Sequence, residues 1–142
     1  VAKQLALYVV IYSPLQMAAD LPENYEGTPA FEFIRQVPVT WDETRVLSAE
    51  IGDFVVMARR SGDRWFLGAI TDENARELEV PLSFLGADRA FDARVFADGA
   101  DADFETNPAA VEITSRSVTS GDTLTLKLAR SGGQAIVFSP AQ

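Results

Sequence analysis

The chain has 142 residues and a mass of 15.5 kDa, enough for one ordinary domain with its own core, and its 47% hydrophobic and 23% charged residues make a globular composition, not a disordered one. Twelve Lys and Arg against twenty-one Asp and Glu leave a net charge of −9, a field that repels phosphate and argues against nucleic-acid partners. The absence of cysteine and histidine excludes disulfides, Ser-His-Asp triads and thiolate or imidazole metal sites, so catalysis would rest on carboxylates, Lys, Tyr or a hard cation.

The longest apolar run, Leu5 to Tyr12, is eight residues, far short of the ~20 that cross a bilayer. No small-residue cleavage pattern follows it, which argues against a signal peptide. Residues 1–20 read as a buried helix, because Leu5, Tyr8, Val9, Tyr12, Leu15 and Gln16 recur at i, i+3, i+4 spacing. Apolar residues on the remaining faces suit a helix inside a larger body, and Pro14 predicts a kink or break near Tyr12–Ser13. The β-branched Val9-Val10-Ile11 leaves a strand open as the alternative. Opening on Val1 within an apolar helical pattern, with no Met and no cap, the chain reads as cut from something longer. A polar connector (21–27) leads to Thr28-Pro29, a good cap and first turn for a short helix over 29–36 with Phe31 and Ile34 inward.

From about residue 39 the apolar period becomes two. Strands are expected at 45–51, 54–60, 64–71, 77–82, 91–98, 110–114, 123–129 and 134–138, separated by turn signals such as Gly52-Asp53, Ser61-Gly62-Asp63 and Ser120-Gly121-Asp122. In 91–98, Phe91, Ala93, Val95 and Ala97 alternate with Asp92, Arg94, Phe96 and Asp98, as in a strand with one solvated face. Residues 65–70 (WFLGAI) are apolar on both faces and predict a central strand, with Gly68 admitting a close neighbour. The fold class is therefore mainly β: an antiparallel sandwich of about eight strands over 39–142, preceded by one long and one short helix in 1–38.

Three groups of residues could carry chemistry. Asp98, Asp101, Asp103 and Glu105 offer hard oxygens for Ca²⁺, but their spacing is not that of an EF-hand, and a solvated acidic turn is the simpler reading. Asp72-Glu73 and Asp42-Glu43 could act as general acid and base on a glycosidic bond; adjacent carboxylates rarely meet one atom, and an Asp72–Arg76 pair or a turn cap at Thr40 or Asp42 explains them as well. Trp41 is the candidate sugar-stacking ring, whereas Trp65 belongs to the core. Arg59, Arg60 and Arg64 form a basic knot too small for a polyanion, and Gly132-Gly133 precedes a strand, unlike a phosphate loop. No catalytic or metal-ligating residue is assigned.

The strings AKQLALYVVIYSPLQMAADLPENY (2–25), FIRQVPVTWDET (33–44), EIGDFVVMARRSGDRWFLGAITDENARELEVPLSFL (50–85) and ARVFADG (93–99) closely resemble the C-terminal end of glycoside hydrolase family 97, bacterial α-glucosidases and α-galactosidases. The resemblance covers residues 2 to about 113. It implies a parent with an N-terminal β-sandwich, a catalytic (β/α)₈ barrel and a C-terminal sandwich, of which this chain is the barrel's last helix and the final sandwich. It places the catalytic carboxylates and a calcium ion in residues outside this chain, and implies no cofactor here. The implied partners are the catalytic barrel and possible further copies of the chain, with no nucleic acid or membrane, in a periplasmic or secreted setting. The function expected is a non-catalytic domain that packs on the barrel and contributes to oligomerisation; the alternative is a carbohydrate-binding module centred on Trp41.

Overall fold

Three short helices and then eight strands run through the computed structural model, which describes all of residues 1–142. The helices are α1 (Ala2–Val10), α2 (Pro22–Tyr25) and α3 (Phe31–Gln36). The strands are β1 (Glu43–Glu50), β2 (Phe54–Ser61), β3 (Arg64–Thr71), β4 (Arg76–Pro81), β5 (Phe91–Asp98), β6 (Val111–Val118), β7 (Thr123–Leu128) and β8 (Gly133–Pro140). Six of them form one antiparallel sheet in the order β1-β2-β3-β8-β5-β6, and β4 pairs with β7 in a second sheet. The mainly β, eight-stranded sandwich expected from the period-two pattern is the fold observed.

Alternation distributes the apolar side chains between two cores. Trp65, Leu67 and Ala69 of β3, with Ile136 and Phe138 of β8, face the small sheet, where Leu124, Leu126 and Leu128 meet them. Phe84, in the loop after β4, packs edge-on against Trp65 and Phe138 at centroid distances of 5.1 and 5.7 Å. On the opposite face of the large sheet, Phe66, Phe96, Ala135 and Val137 are covered by Leu5, Ala6 and Val9 of α1 and by Phe33 of α3. The strand that reads as apolar on both faces is thus in the middle of three layers.

Gly68 makes that layering possible. A Cβ there would lie 2.6 Å from the Ala6 carbonyl oxygen and 2.9 Å from the Val9 Cβ, so only glycine lets α1 lie this close to β3. Gly133 of β8 does the same beneath Lys3, whose Cα would be 2.7 Å from an added Cβ.

Several sequence expectations are corrected. The opening helix stops at Val10 instead of running to residue 20, because Pro14 lacks an amide hydrogen and its ring conflicts with the carbonyl four residues back, while Val9-Val10-Ile11 favours extended backbone. Nor is it without packing in its own chain: Ala2, Leu5, Ala6 and Val9 are buried, and Leu7, Tyr8 and Val10 are half-buried. A four-residue helix, α2, falls in the segment read as connector. In α3 the fully buried residue is Phe33, with Phe31 and Ile34 only half-buried. Finally, the outer face of β5 is not all solvated, since Phe96 lies buried 5.4 Å from Phe33.

Candidate interface on the helical face

The basic residues around the β2–β3 hairpin are fasteners for the helices. Arg59, buried in β2, donates from Nε to the Val9 carbonyl at 2.6 Å, from Nη2 to the Val10 carbonyl at 3.4 Å and from Nη1 to Thr44 Oγ1 at 2.9 Å. It therefore satisfies the carbonyls left open where α1 ends. Burial pushes its guanidinium below its ordinary pKa, opposed by the nearby Tyr12 phenol. Arg64 donates to the Gln36 carbonyl at the end of α3 at 3.1 Å, and Lys3 Nζ reaches the Thr71 carbonyl at 2.9 Å.

Of the carboxylates that could have carried chemistry, Asp42, Glu43, Asp72, Asp98 and Asp103 are held in turns and ion pairs, whereas the side chains of Glu73, Asp101 and Glu105 point to no hydrogen-bond or ion-pair partner. Asp72 pairs with Arg76 at 3.2 Å and accepts from the Asn74 backbone N–H at 2.9 Å; that backbone hydrogen bond holds its carboxyl below the usual range, with the neighbouring Arg76 charge adding to it. Asp42 caps the β2–β3 turn by accepting from the Gly62 N–H at 2.7 Å, and Glu43 pairs with Arg45 at 2.6 Å, which lowers its pKa. In the acidic turn, Asp98 accepts from the Gly133 and Ala129 N–H groups at 2.8 and 3.0 Å. Asp103 accepts from the Glu105 and Thr106 N–H groups at 3.0 and 3.1 Å, which depresses its carboxyl. No three acidic side chains come together to hold a metal ion. The acidic turn Asp98, Asp101, Asp103 and Glu105, offered above as a possible Ca²⁺ site, therefore does not assemble one.

Trp41, the candidate sugar-stacking residue, is half-buried at the foot of β1. Its ring packs edge-on against Phe66 at 5.5 Å and lies 6.0 Å from the Arg59 guanidinium, so part of its surface is used in holding the helical layer. Asp72 follows the far end of β3, and the groove it lines does not include Trp41.

The most distinctive surface is one the sequence reading took for a helix interior. Beyond Val10 the chain runs without regular structure, fixed by Gln16 Nε2 donating to the Ile11 carbonyl at 3.0 Å and by Tyr8 Oη donating to the Met17 carbonyl at 3.1 Å. Burial, reinforced by Tyr25, raises the Tyr8 phenol above its ordinary pKa. This segment leaves Ile11, Tyr12, Leu15, Met17 and Leu21 between 54% and 80% exposed. Beside it, a groove of about 550 Å³ lies between α1 and α3, lined by Leu7, Tyr8, Met17, Tyr25, Phe31 and Ile34 among others. The signal that identifies this surface is Pro14: a helix that ends early leaves the following apolar residues unpacked.

Residues 40–139 match the family model described as glycosyl-hydrolase 97 C-terminal, oligomerisation. The chain belongs to that family. It is the non-catalytic C-terminal domain of glycoside hydrolase family 97. A family 97 enzyme from Pseudoalteromonas sp. strain K8, solved in complex with acarbose, is 50% identical with a TM-score of 0.95 over 99% of this chain and 22% of its own. A retaining alpha-galactosidase of Bacteroides thetaiotaomicron is 48% identical over 101 residues, 70% of this chain and 15% of that protein. A probable retaining alpha-galactosidase of Streptomyces bingchenggensis is 36% identical over 137 residues, 96% of this chain and 20% of that protein. The chain thus spans about a fifth or less of the length of these family 97 relatives. The carbohydrate-binding alternative gains no support from these comparisons.

Proposed function

We propose that this domain belongs to an α-glycosidase, acting on α-galactosides or α-glucosides, and that it holds the catalytic barrel of its parent against its helical face while also contributing to self-association. The observation that carries the reading is the segment 11–21, in which Ile11, Tyr12, Leu15, Met17 and Leu21 are exposed and Ile11 and Met17 line an apolar groove. Large apolar side chains exposed together in one short segment beside such a groove are costly in water and mark a surface that is covered in use. Two expectations for the parent accompany this reading: a calcium ion held by residues outside this chain, and a periplasmic or secreted location.

Incubating the purified chain with aryl α-galactosides and aryl α-glucosides is the test. No turnover is expected from the chain alone. Hydrolysis that persists through stringent purification and scales with the concentration of this chain would overturn the non-catalytic role.

A further inference from the structure

The large sheet ends in two free edges, β1 and β6. They are built differently. The β1 edge is interrupted by a register shift between Val46 and Ser48 and carries Glu43, Arg45 and Glu50, a bulge and charges of the kind that deter strand addition. The β6 edge pairs with β5 in unbroken register over eight residues, from Val111↔Asp98 to Val118↔Phe91, and contains neither proline nor lysine. One long edge in unbroken register is thus left open.

Register with β5 assigns the two faces of β6. Glu112, Thr114 and Arg116 lie opposite Ala97, Val95 and Ala93, on the small-sheet side; Ile113 and Ser115 lie opposite Phe96 and Arg94, on the helical side. Because the two-stranded sheet does not extend this far, Glu112, Thr114 and Arg116 are exposed. Neither Glu112 nor Arg116 is paired within its own chain, in contrast to Arg94 next door, which holds Glu32 at 3.0 Å.

We propose that β6 is a self-association seam, on which two copies of the chain pair β6 with β6 antiparallel about a two-fold axis at Thr114, merging their large sheets into one. The proposal rests on the reading of this domain as an oligomerisation domain and names the surface and partner involved. A two-fold axis between edge strands stands perpendicular to the sheet and preserves its faces, so only registers centred on a residue are allowed. Two of these pair seven residues. Centred on Thr114, the register sets Glu112 against Arg116 of the second copy, twice by symmetry, with Ile113 against Ser115 and Thr114 against itself. Centred on Ser115, it sets Glu112 against Val118, which is buried in its own core, and leaves both charges unmatched. The charges that would repel a foreign strand are therefore complementary to their own copy. The seam is narrow, so association through it is weak and concentration-dependent.

Sedimentation of the whole 142-residue chain over a concentration series tests the proposal. The wild type is expected to dimerise, and Glu112→Arg or Arg116→Glu is each expected to weaken the dimer about ten-fold or more by setting like charges opposite each other twice. Mixing the two variants is expected to restore dimers, because positions 112 and 116 are then both basic in one copy and both acidic in the other. Both positions are exposed, so folding is expected to be unaffected, and recovery on mixing shows that both variants are folded. Single variants that dimerise like wild type, or mixtures that stay monomeric, overturn the seam while leaving self-association through another surface intact. A wild type that stays monomeric throughout overturns both the seam and the self-association reading.

Discussion

Replacing Gly68 with alanine tests the three-layer packing at the point of closest approach. The new Cβ would lie 2.6 Å from the Ala6 carbonyl oxygen and 2.9 Å from the Val9 Cβ. Both belong to the helix frame, not to the tip of a flexible side chain, so α1 must recede by about 0.8 Å to reach the 3.4 Å of ordinary contact. Overpacking of this kind costs about 1–3 kcal/mol. Removing a glycine also restricts the unfolded chain, which returns about 0.4–1 kcal/mol. At the middle of these ranges the expected net destabilisation is about 1.3 kcal/mol, or a melting point lower by about 4 °C for a domain of this size. Gly133→Ala, crowded by Lys3, is expected to behave alike, whereas Gly86→Ala, with nothing within 4 Å of its added Cβ, is expected to be neutral. Thermal unfolding by circular dichroism measures the loss, and hydrogen exchange should show faster exchange concentrated in residues 2–10. A Gly68→Ala protein as stable as wild type, with α1 amides equally protected, would show that the helix does not rest on β3 as described.

Three further outcomes follow from the site geometry. Arg59→Met leaves the Val9 and Val10 carbonyls without their donor; a cost of about 1.5–3 kcal/mol is expected in chemical denaturation, with fraying of the last turn of α1. Asp72→Asn bears on pH: the wild-type carboxyl titrates lower folded than unfolded, so its stabilisation is complete above its unfolded value of about 3.9 and is lost as pH falls through the depressed folded value. The stability gap between wild type and Asp72→Asn should therefore be widest near neutrality and close in acid, and a gap independent of pH would contradict the pairing. Because Asp98 and Asp103 bond backbone amides and no three carboxylates converge, a chelator should leave the melting point unchanged, and a fall would reveal a bound ion by mass action.

Trp41 separates packing from sugar recognition. Trp41→Ala removes the ring from Phe66 and Arg59 and is expected to lower the melting point. Calorimetry with maltooligosaccharides and galactosides is expected to give no heat of binding for either protein, and saturable binding lost in the variant would establish a carbohydrate-binding role.

The β region was legible because its signals are local. Alternation in TLTLKL and in the Phe91, Ala93, Val95 series sets which side chains face the small sheet, and WFLGAI could only suit a strand covered on both sides. Gly68 announced a close neighbour before that neighbour was known to be α1. The helical layer was less legible, because helix periodicity registers the apolar pattern but not where the backbone stops obeying it. Tyr12 and Leu15 fit the heptad-like spacing, yet Pro14 and the capping of α1 by Arg59, fifty residues downstream, place them outside the helix. The solvated placing of Phe96 and the choice of Phe31 and Ile34 as inward fail for a related reason: Phe33 and Phe96 bury each other across a tertiary contact that neither local pattern contains. The role of Arg59 had no local signal, since a buried arginine that bonds carbonyls looks in sequence like any arginine beside a turn.

The central claim is that the bare side of the helical layer is covered by the catalytic part of the parent protein. Its most direct test is titration of this chain into the separately produced remainder of the parent, followed by calorimetry. Saturable binding is predicted, abolished by the pair Ile11→Asp and Met17→Asp and unchanged by Arg116→Glu. Absence of binding, or binding indifferent to charges at positions 11 and 17, would contradict it.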